Sequence, residues 1–185
     1  EISSEIADKA ISKAKKQVSR ISSIVDHVYR YAKEDRHTES LSLKTLIEQV
    51  VNEIKVSNFS SAVQVQAEKD VLIQGNKLEL QLALYNVLKN AIKASENGAA
   101  VITICLRREK AQAVLSVSDK SKKINQENLS KLTNEFHTSK GQGLGLGLPI
   151  VKSIVDNHGG SLKFTALEPR GLKVTFVFPI FENEH

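Results

Sequence analysis

The sequence predicts an α+β fold: a two-layer α/β sandwich preceded by a long helix of the coiled-coil type. Three observations predict it. Residues 2 to about 33 repeat apolar side chains every seven positions. Glu34 to Ser40 is a polar hinge without apolar content, which divides the chain into residues 1–38 and 39–185. Beyond the hinge, strand patterns gather late in the chain, and about three helix patterns remain to cover one face of their sheet.

In the first helix, Ile11, Val18, Val25 and Ala32 form one series; Ala14, Ile21 and Val28 form a second, three residues on. This is an a/d seam, and such a seam needs partner helices, most simply from a second copy of the chain. We expect a homodimer through it.

Past the hinge, Leu41 and Leu43 read as a short strand. A helix from about Lys44 to Ser57 follows, with Leu46, Ile47, Val50, Val51 and Ile54 on one face. Val63-Gln64-Val65-Gln66 alternates as an antiparallel strand, and Val71-Leu72-Ile73 is another, closed by a turn at Gly75-Asn76. Lys77 to Ser95 is the strongest helix, with Leu78, Leu82, Tyr85, Leu88 and Ile92 read as its core face and Asn97-Gly98 as its end. Ala100 to Leu106 and Gln112 to Val117 read as two buried strands joined by a charged turn at Arg107 to Lys110. A short helix around Glu127 to Leu132 leads into a glycine-rich loop and a further helix. Ser161 to Ala166 and Leu172 to Phe178 are the last two strands, joined by the turn Pro169-Arg170-Gly171. The interrupting loops fall where a ligand can lie between helices and sheet.

Composition narrows the function classes. A chain of 185 residues holds one good core and an appendage. Hydrophobic content of 41% and charged content of 25% are those of an ordinary globular protein. No apolar run approaches the roughly 18 residues of a membrane span. The net charge of +5 is spread over scattered basic residues with few aromatics, which argues against a nucleic-acid partner. The single cysteine, Cys105, excludes an internal disulfide, fits a reducing compartment, and reads as core on an apolar alternating strand. A start at Glu1 and the lack of any methionine predict a piece of a longer protein.

The chemistry starts in the glycine loop. Gly141, Gly143, Gly145 and Gly147 occupy every second position, so the backbone can turn tightly and press its N–H groups on a ligand. The period then becomes helical, with Leu148, Ile150, Val151, Ile154 and Val155 in one stripe and a stop at His158-Gly159-Gly160. A glycine loop feeding a helix N-terminus suits phosphate, and Thr138, Ser139 and Lys140 add two hydroxyls and a charge. A flexible linker is the plainer alternative, disfavoured by leucine at the alternate positions. Neither a P-loop nor a dinucleotide fingerprint fits, since G-x-x-x-x-G-K-[ST] is absent and no strand runs directly into the loop.

Asn86 and Asn90 lie one turn apart in the strongest helix, so both amides leave the same face. Asparagine is costly inside a helix. Either the two are satisfied, half-buried amides, or their oxygens ligate a hydrated Mg²⁺, a hard cation that also takes phosphate oxygens. Lys93 is within reach of a phosphate on that metal. Asp119 ends the strand Val114-Leu115-Ser116-Val117, where a carboxylate beside a pocket can accept from an exocyclic amine such as that of adenine.

Together, N-x-x-x-N-A-x-K on a helix, Asp119 after a strand, F-x-T-S-K and G-x-G-L-G-L before a helix resemble the ATP-binding catalytic domain of bacterial sensor histidine kinases. The resemblance covers about residues 39 to 181 and implies the GHKL (Bergerat) fold shared with gyrase, Hsp90 and MutL. It implies ATP and Mg²⁺ as cofactors, with Asn90 on the metal; with the helix-face reading above, Asn86, Asn90 and Lys93 are the expected catalytic residues and Asn86 the second metal ligand. Asp119 would recognise adenine. Phe136, Thr138, Ser139, Lys140, Gly141, Gly143, Leu144, Gly145, Leu146 and Gly147 would bind the nucleotide, the run from Gly141 to Gly147 as part of a mobile lid. Gyrase and MutL would have a hydrolytic Glu where this chain has Asn86, so the likeness is to the kinases.

The resemblance further implies an ATP-dependent protein-histidine kinase, in the cytoplasmic part of a membrane-associated bacterial sensor. Its partners would be a response regulator or receiver domain and the phosphoacceptor helix of the same protein. The first helix resembles the second helix of the kinase dimerisation and phosphotransfer domain. His27 is not followed by an acid, Val28 standing there instead, and reads as a surface histidine. One departure bears on function. Where the family has D-x-G-x-G-I, this chain has Asp119-Lys120-Ser121-Lys122-Lys123-Ile124, without either glycine. That keeps open an alternative: a degenerate domain acting as a dimeric scaffold or phosphatase module with weak or no ATP binding.

Overall fold

A computed structural model of the chain describes residues 38–56, 62–67, 69–94, 101–120, 129, 132 and 147–180. The helix read over residues 2–33, with its seam and His27, lies outside them. Of the short helix near residues 127–132, Leu129 and Leu132 are described, joined by the N–H of Leu132 donating to Leu129 O at 3.2 Å.

The elements are β1 (Glu39–Ser42), α1 (Leu43–Val56), β2 (Ala62–Ala67), β3 (Leu72–Gly75), α2 (Lys77–Ala94), β4 (Val101–Glu109), β5 (Gln112–Asp119), α3 (Gly147–Asn157), β6 (Ser161–Ala166) and β7 (Leu172–Pro179). β1 and β3 pair as an antiparallel ribbon; the other strands form a sheet in the order β2-β4-β5-β7-β6. The fold is the expected α+β arrangement, a five-stranded sheet with helices packed on it.

Strand parity explains the two layers. Cross-strand pairing aligns Ile104 with Val117, Leu106 with Leu115, Leu115 with Phe176 and Val117 with Val174. All of these are buried, so one face of the sheet meets the helices. Phe176 and Phe178 stack there with ring centroids 6.2 Å apart. Of the alternate residues of β4 and β5, Thr103, Cys105, Val114 and Ser118 are half-buried and Ser116 is buried. Two readings are therefore corrected. β4 and β5 are fully buried only on the face that meets the helices, and Cys105 is not core, because its parity is opposite to that of Ile104 and Leu106.

Three further expectations shift. Leu43 begins α1 instead of ending a strand, because Ser42 caps the helix by accepting the N–H of Thr45 at 3.0 Å. β2 pairs with β4 in parallel, not antiparallel. Alternation in Val63 to Gln66 specifies a half-buried face but no direction. The crossover through β3 and α2 returns the chain to the same end, as a parallel pair requires. The core face of α2 is Leu80, Ala83, Leu84, Val87, Leu88, Ala91 and Ile92. Leu88 and Ile92 were expected there; Leu82 and Tyr85 are half-buried at its edge, and Leu78 is 61% exposed. Large side chains alone marked the wrong stripe, since Ala83 and Ala91 are what let neighbouring elements approach.

A polar clamp sets α2 against α3. Asn76 caps α2, its Oδ1 accepting the N–H groups of Leu78 at 3.0 Å and Glu79 at 3.2 Å. Its own N–H donates to His158 Nε2 at 2.9 Å, which leaves His158 Nδ1 as the donor to Ile154 O at 2.7 Å. Gly75 makes room for this ring; a Cβ there would lie 2.7 Å from His158 Cδ2. α3 stops as expected, with the N–H of Gly160 donating to Val155 O at 2.9 Å. The start of α2 is thus fastened to the end of α3. At 1.5 Å per residue the 11 residues of α3 run back about 16 Å, while Asn86 and Asn90 lie about 15–21 Å along α2. Antiparallel packing therefore delivers Gly147 to the two asparagines.

Candidate functional site

That meeting is observed. A Cβ placed on Gly147 would lie 3.6 Å from Asn90 Nδ2 and 3.8 Å from Asn86 Oδ1, so the two amides flank the first residue of α3. Asn86 is half-buried and Asn90 exposed, on the flank of α2 that turns away from its buried stripe. The first-turn N–H groups of a helix have no partner within it and carry its positive dipole end. Pro149 in that turn forfeits no helical bond. Two amide oxygens beside such an end can bind a cation and an anion side by side, as a metal phosphate requires. Among the described residues no group of three His, Cys, Asp or Glu could hold a metal. A metal here would use amide and phosphate oxygens, the hard-donor set that Mg²⁺ accepts.

Lys93 extends the same flank of α2 and is exposed. Its ammonium is held below the ordinary lysine range, first by partial desolvation and second by the charge of Lys89. Lys89 itself lies over the Tyr85 ring, 5.5 Å from its centroid. Two like charges one turn apart on an open face repel, and an anion between them relieves both.

Asp119 ends β5 and is 5% exposed. Its register with Ile102 gives it the parity of Leu115 and Val117, so it belongs to the face that meets the helices. Behind it stands Gly171, buried, with φ +120°. A Cβ on Gly171 would lie 2.1 Å from Asp119 O.

Of the residues singled out from sequence, the structure thus brings Asn86, Asn90 and Gly147 together, puts Lys93 on the same helix flank, and sets Asp119 at the inner end of β5. Phe136, Thr138, Ser139, Lys140, Gly141, Gly143, Leu144, Gly145 and Leu146 lie outside the described residues. Sequence reasoning missed Lys89 and Gly171. Lys89 had a signal, a second cation i−4 to Lys93. Gly171 had only a turn motif, because nothing local says that β7 runs beside β5.

Residues 75–182 match the family described as histidine kinase-, DNA gyrase B-, and HSP90-like ATPase. Sporulation kinase B of Bacillus subtilis is 27% identical over 166 residues, a stretch that covers 88% of this chain and 39% of that protein. The chain thus spans about two fifths of the length of that relative. Among solved structures, the mycobacterial sensor histidine kinase MprB superposes with a TM-score of 0.70 at 26% identity, covering 78% of this chain and 98% of that one. The histidine kinase ThkA in complex with the response regulator protein TrrA gives 0.74 at 26% identity, covering 94% of this chain and 51% of that one.

Proposed function

The chain belongs to the histidine kinase-, DNA gyrase B- and HSP90-like ATPase family, and from that membership we propose that it binds Mg·ATP and donates the γ-phosphate to a histidine. The observation that carries the proposal is the pair Asn86 and Asn90 facing the start of α3 at Gly147. The acceptor histidine would sit on a separate helix of the intact protein and pass its phosphate to a response regulator. The likeness to a kinase solved with its response regulator supports that partner class.

Asn90 and Asn86 would hold the Mg²⁺ through their amide oxygens. The bound ion would supply charge neutralisation across the phosphates. Lys93 offsets phosphate charge from the same helix flank, and Lys140 adds to it from the loop. Asp119 accepts from the exocyclic amine of adenine and so selects the base. Phe136, Thr138, Ser139 and the run from Lys140 to Gly147 close over the triphosphate and exclude water. No side chain of this set attacks phosphorus. Catalysis is positioning and charge neutralisation, with the attacking nitrogen supplied by the acceptor. The N-terminal seam would join two copies, and the sensor-kinase relatives support a cytoplasmic domain of a membrane-associated bacterial sensor; among the described residues no helix is long and apolar enough to cross a membrane.

A second reading rests on Ser121 and Lys123, which stand where the family's glycines would be. It makes the domain a dimeric scaffold or phosphatase module with weak or no ATP binding. Phosphotransfer separates the two. Given Mg·ATP and a separately supplied helix bearing a histidine followed by an acid, the chain should label that helix with acid-labile phosphate. His27 should stay unlabelled. Label on His27 alone, or none with nucleotide bound, contradicts the kinase reading.

A further inference from the structure

We propose that Gly171 is a positioning residue for base recognition, acting through Asp119. The inference rests on the reading of Asp119 as the adenine acceptor and adds the element that holds it in place. Pairing between β5 and β7 ends at Ser118 with Lys173. Beyond that pair the two chains do not separate. Gly171 turns inward at φ +120°, buried, and packs its Cα against the last peptide of β5. A Cβ on Gly171 would meet Asp119 O at 2.1 Å, Asp119 C at 3.1 Å and Lys120 Cα at 3.3 Å. All three are backbone atoms, so no side-chain rotation relieves the clash. Room must come from the backbone itself, by displacement of the end of β5, and with it the Asp119 side chain, or of the segment that carries Gly171.

Gly171 is itself fixed from behind. Its carbonyl accepts the N–H of Leu167 at 3.0 Å, which closes the connection between β6 and β7. The path of that connection therefore sets where Asp119 sits. In the sequence, Asp119 is followed by Ser121 and Lys123, residues that lack the backbone freedom of glycine. Displacing the carboxylate by a fraction of the clash distance breaks its alignment with an exocyclic amine, and hydrogen-bond recognition is lost steeply with such misplacement.

The test reads base preference, because general destabilisation lowers affinity for both nucleotides together. A non-hydrolysable ATP analogue and its guanine counterpart are titrated into the parent, Gly171→Ala, Leu167→Pro, Asp119→Asn and the double variant Gly171→Ala/Asp119→Asn. Guanine presents a carbonyl where adenine presents an amine, so a placed carboxylate discriminates between them. Gly171→Ala should lose about tenfold or more of the adenine preference. Leu167→Pro, which removes the N–H bracing Gly171 together with the leucine side chain and adds no Cβ at Gly171, should lose less in the same direction and decides the matter if Gly171→Ala does not fold. Asp119→Asn should abolish the preference, and adding Gly171→Ala to it should cost no further preference. Folded variants that keep the parent's preference, or a Gly171→Ala effect that persists without the Asp119 carboxylate, overturn the inference alone. A parent that binds no adenine nucleotide overturns the reading of Asp119 and the inference with it.

Discussion

Asn90 and Lys93 leave the same flank of α2 and face different demands. The asparagines stood out in the sequence because amides among leucines carry a local cost, and the structure sets that pair beside the start of a helix. Lys93 carries its own cost, since burial and Lys89 both disfavour its charge. Its pKa is lower folded than unfolded, so below the folded pKa Lys93 opposes folding. That penalty fades as pH rises through the window between the folded pKa and the ordinary value of 10.5. A bound phosphate pays the penalty in part by supplying the missing counter-charge. Phosphate affinity should therefore fall on the alkaline side at a pH below the usual lysine range. Lys93→Gln should remove that inflection and weaken nucleotide binding at neutral pH by about two- to fivefold, the worth of a partly exposed ion pair. Titrations of parent and variant across alkaline pH check it; an unchanged inflection would assign the dependence to another group.

At the scale of elements, what was legible followed from period and caps. The stripe of α3 and its glycine stop came through because both signals are local, as did the helix from Leu43 to Val56. The direction of β2 and the buried stripe of α2 did not, because partners distant in sequence decide both. Val63 to Gln66 can pair either way until a crossover is known, and two apolar stripes on α2 compete until α1, α3 and the sheet are in place. The segment after Asp119 has Ser121 and Lys123 where the resembling family has glycines. If Ser121 and Lys123 adopt the left-handed backbone that glycine would take, each costs about 1–2 kcal/mol. Ser121→Gly with Lys123→Gly should then tighten ATP binding by about ten- to hundredfold with the thermal midpoint little changed. A double variant that binds no better than the parent would show that this segment is no handicap.

For the whole molecule, the sandwich of residues 38–180 was legible because strands, helices and one polar hinge follow in an order that few folds accommodate. The candidate site was legible where residue types were unusual for their setting, at Asn86, Asn90 and Asp119; the proposed role of Gly171 was not, because a plain glycine carries no local signal. The seam from Ile11 to Ala32 adds a claim about assembly. Val18→Glu with Val25→Glu should give a monomer by sedimentation whose nucleotide domain melts as in the parent, whereas a parent that is monomeric at high concentration would refute the seam as a sufficient interface. The central claim is that this is a Mg²⁺-dependent nucleotide domain, and one titration addresses it directly. A non-hydrolysable ATP analogue is titrated into the parent and Asn90→Ala, once with Mg²⁺ and once with chelator. The parent should bind more tightly with Mg²⁺, and Asn90→Ala should lose about tenfold or more in Mg²⁺ while losing almost nothing in chelator. Equal losses under both conditions, or a parent indifferent to Mg²⁺, would contradict the account.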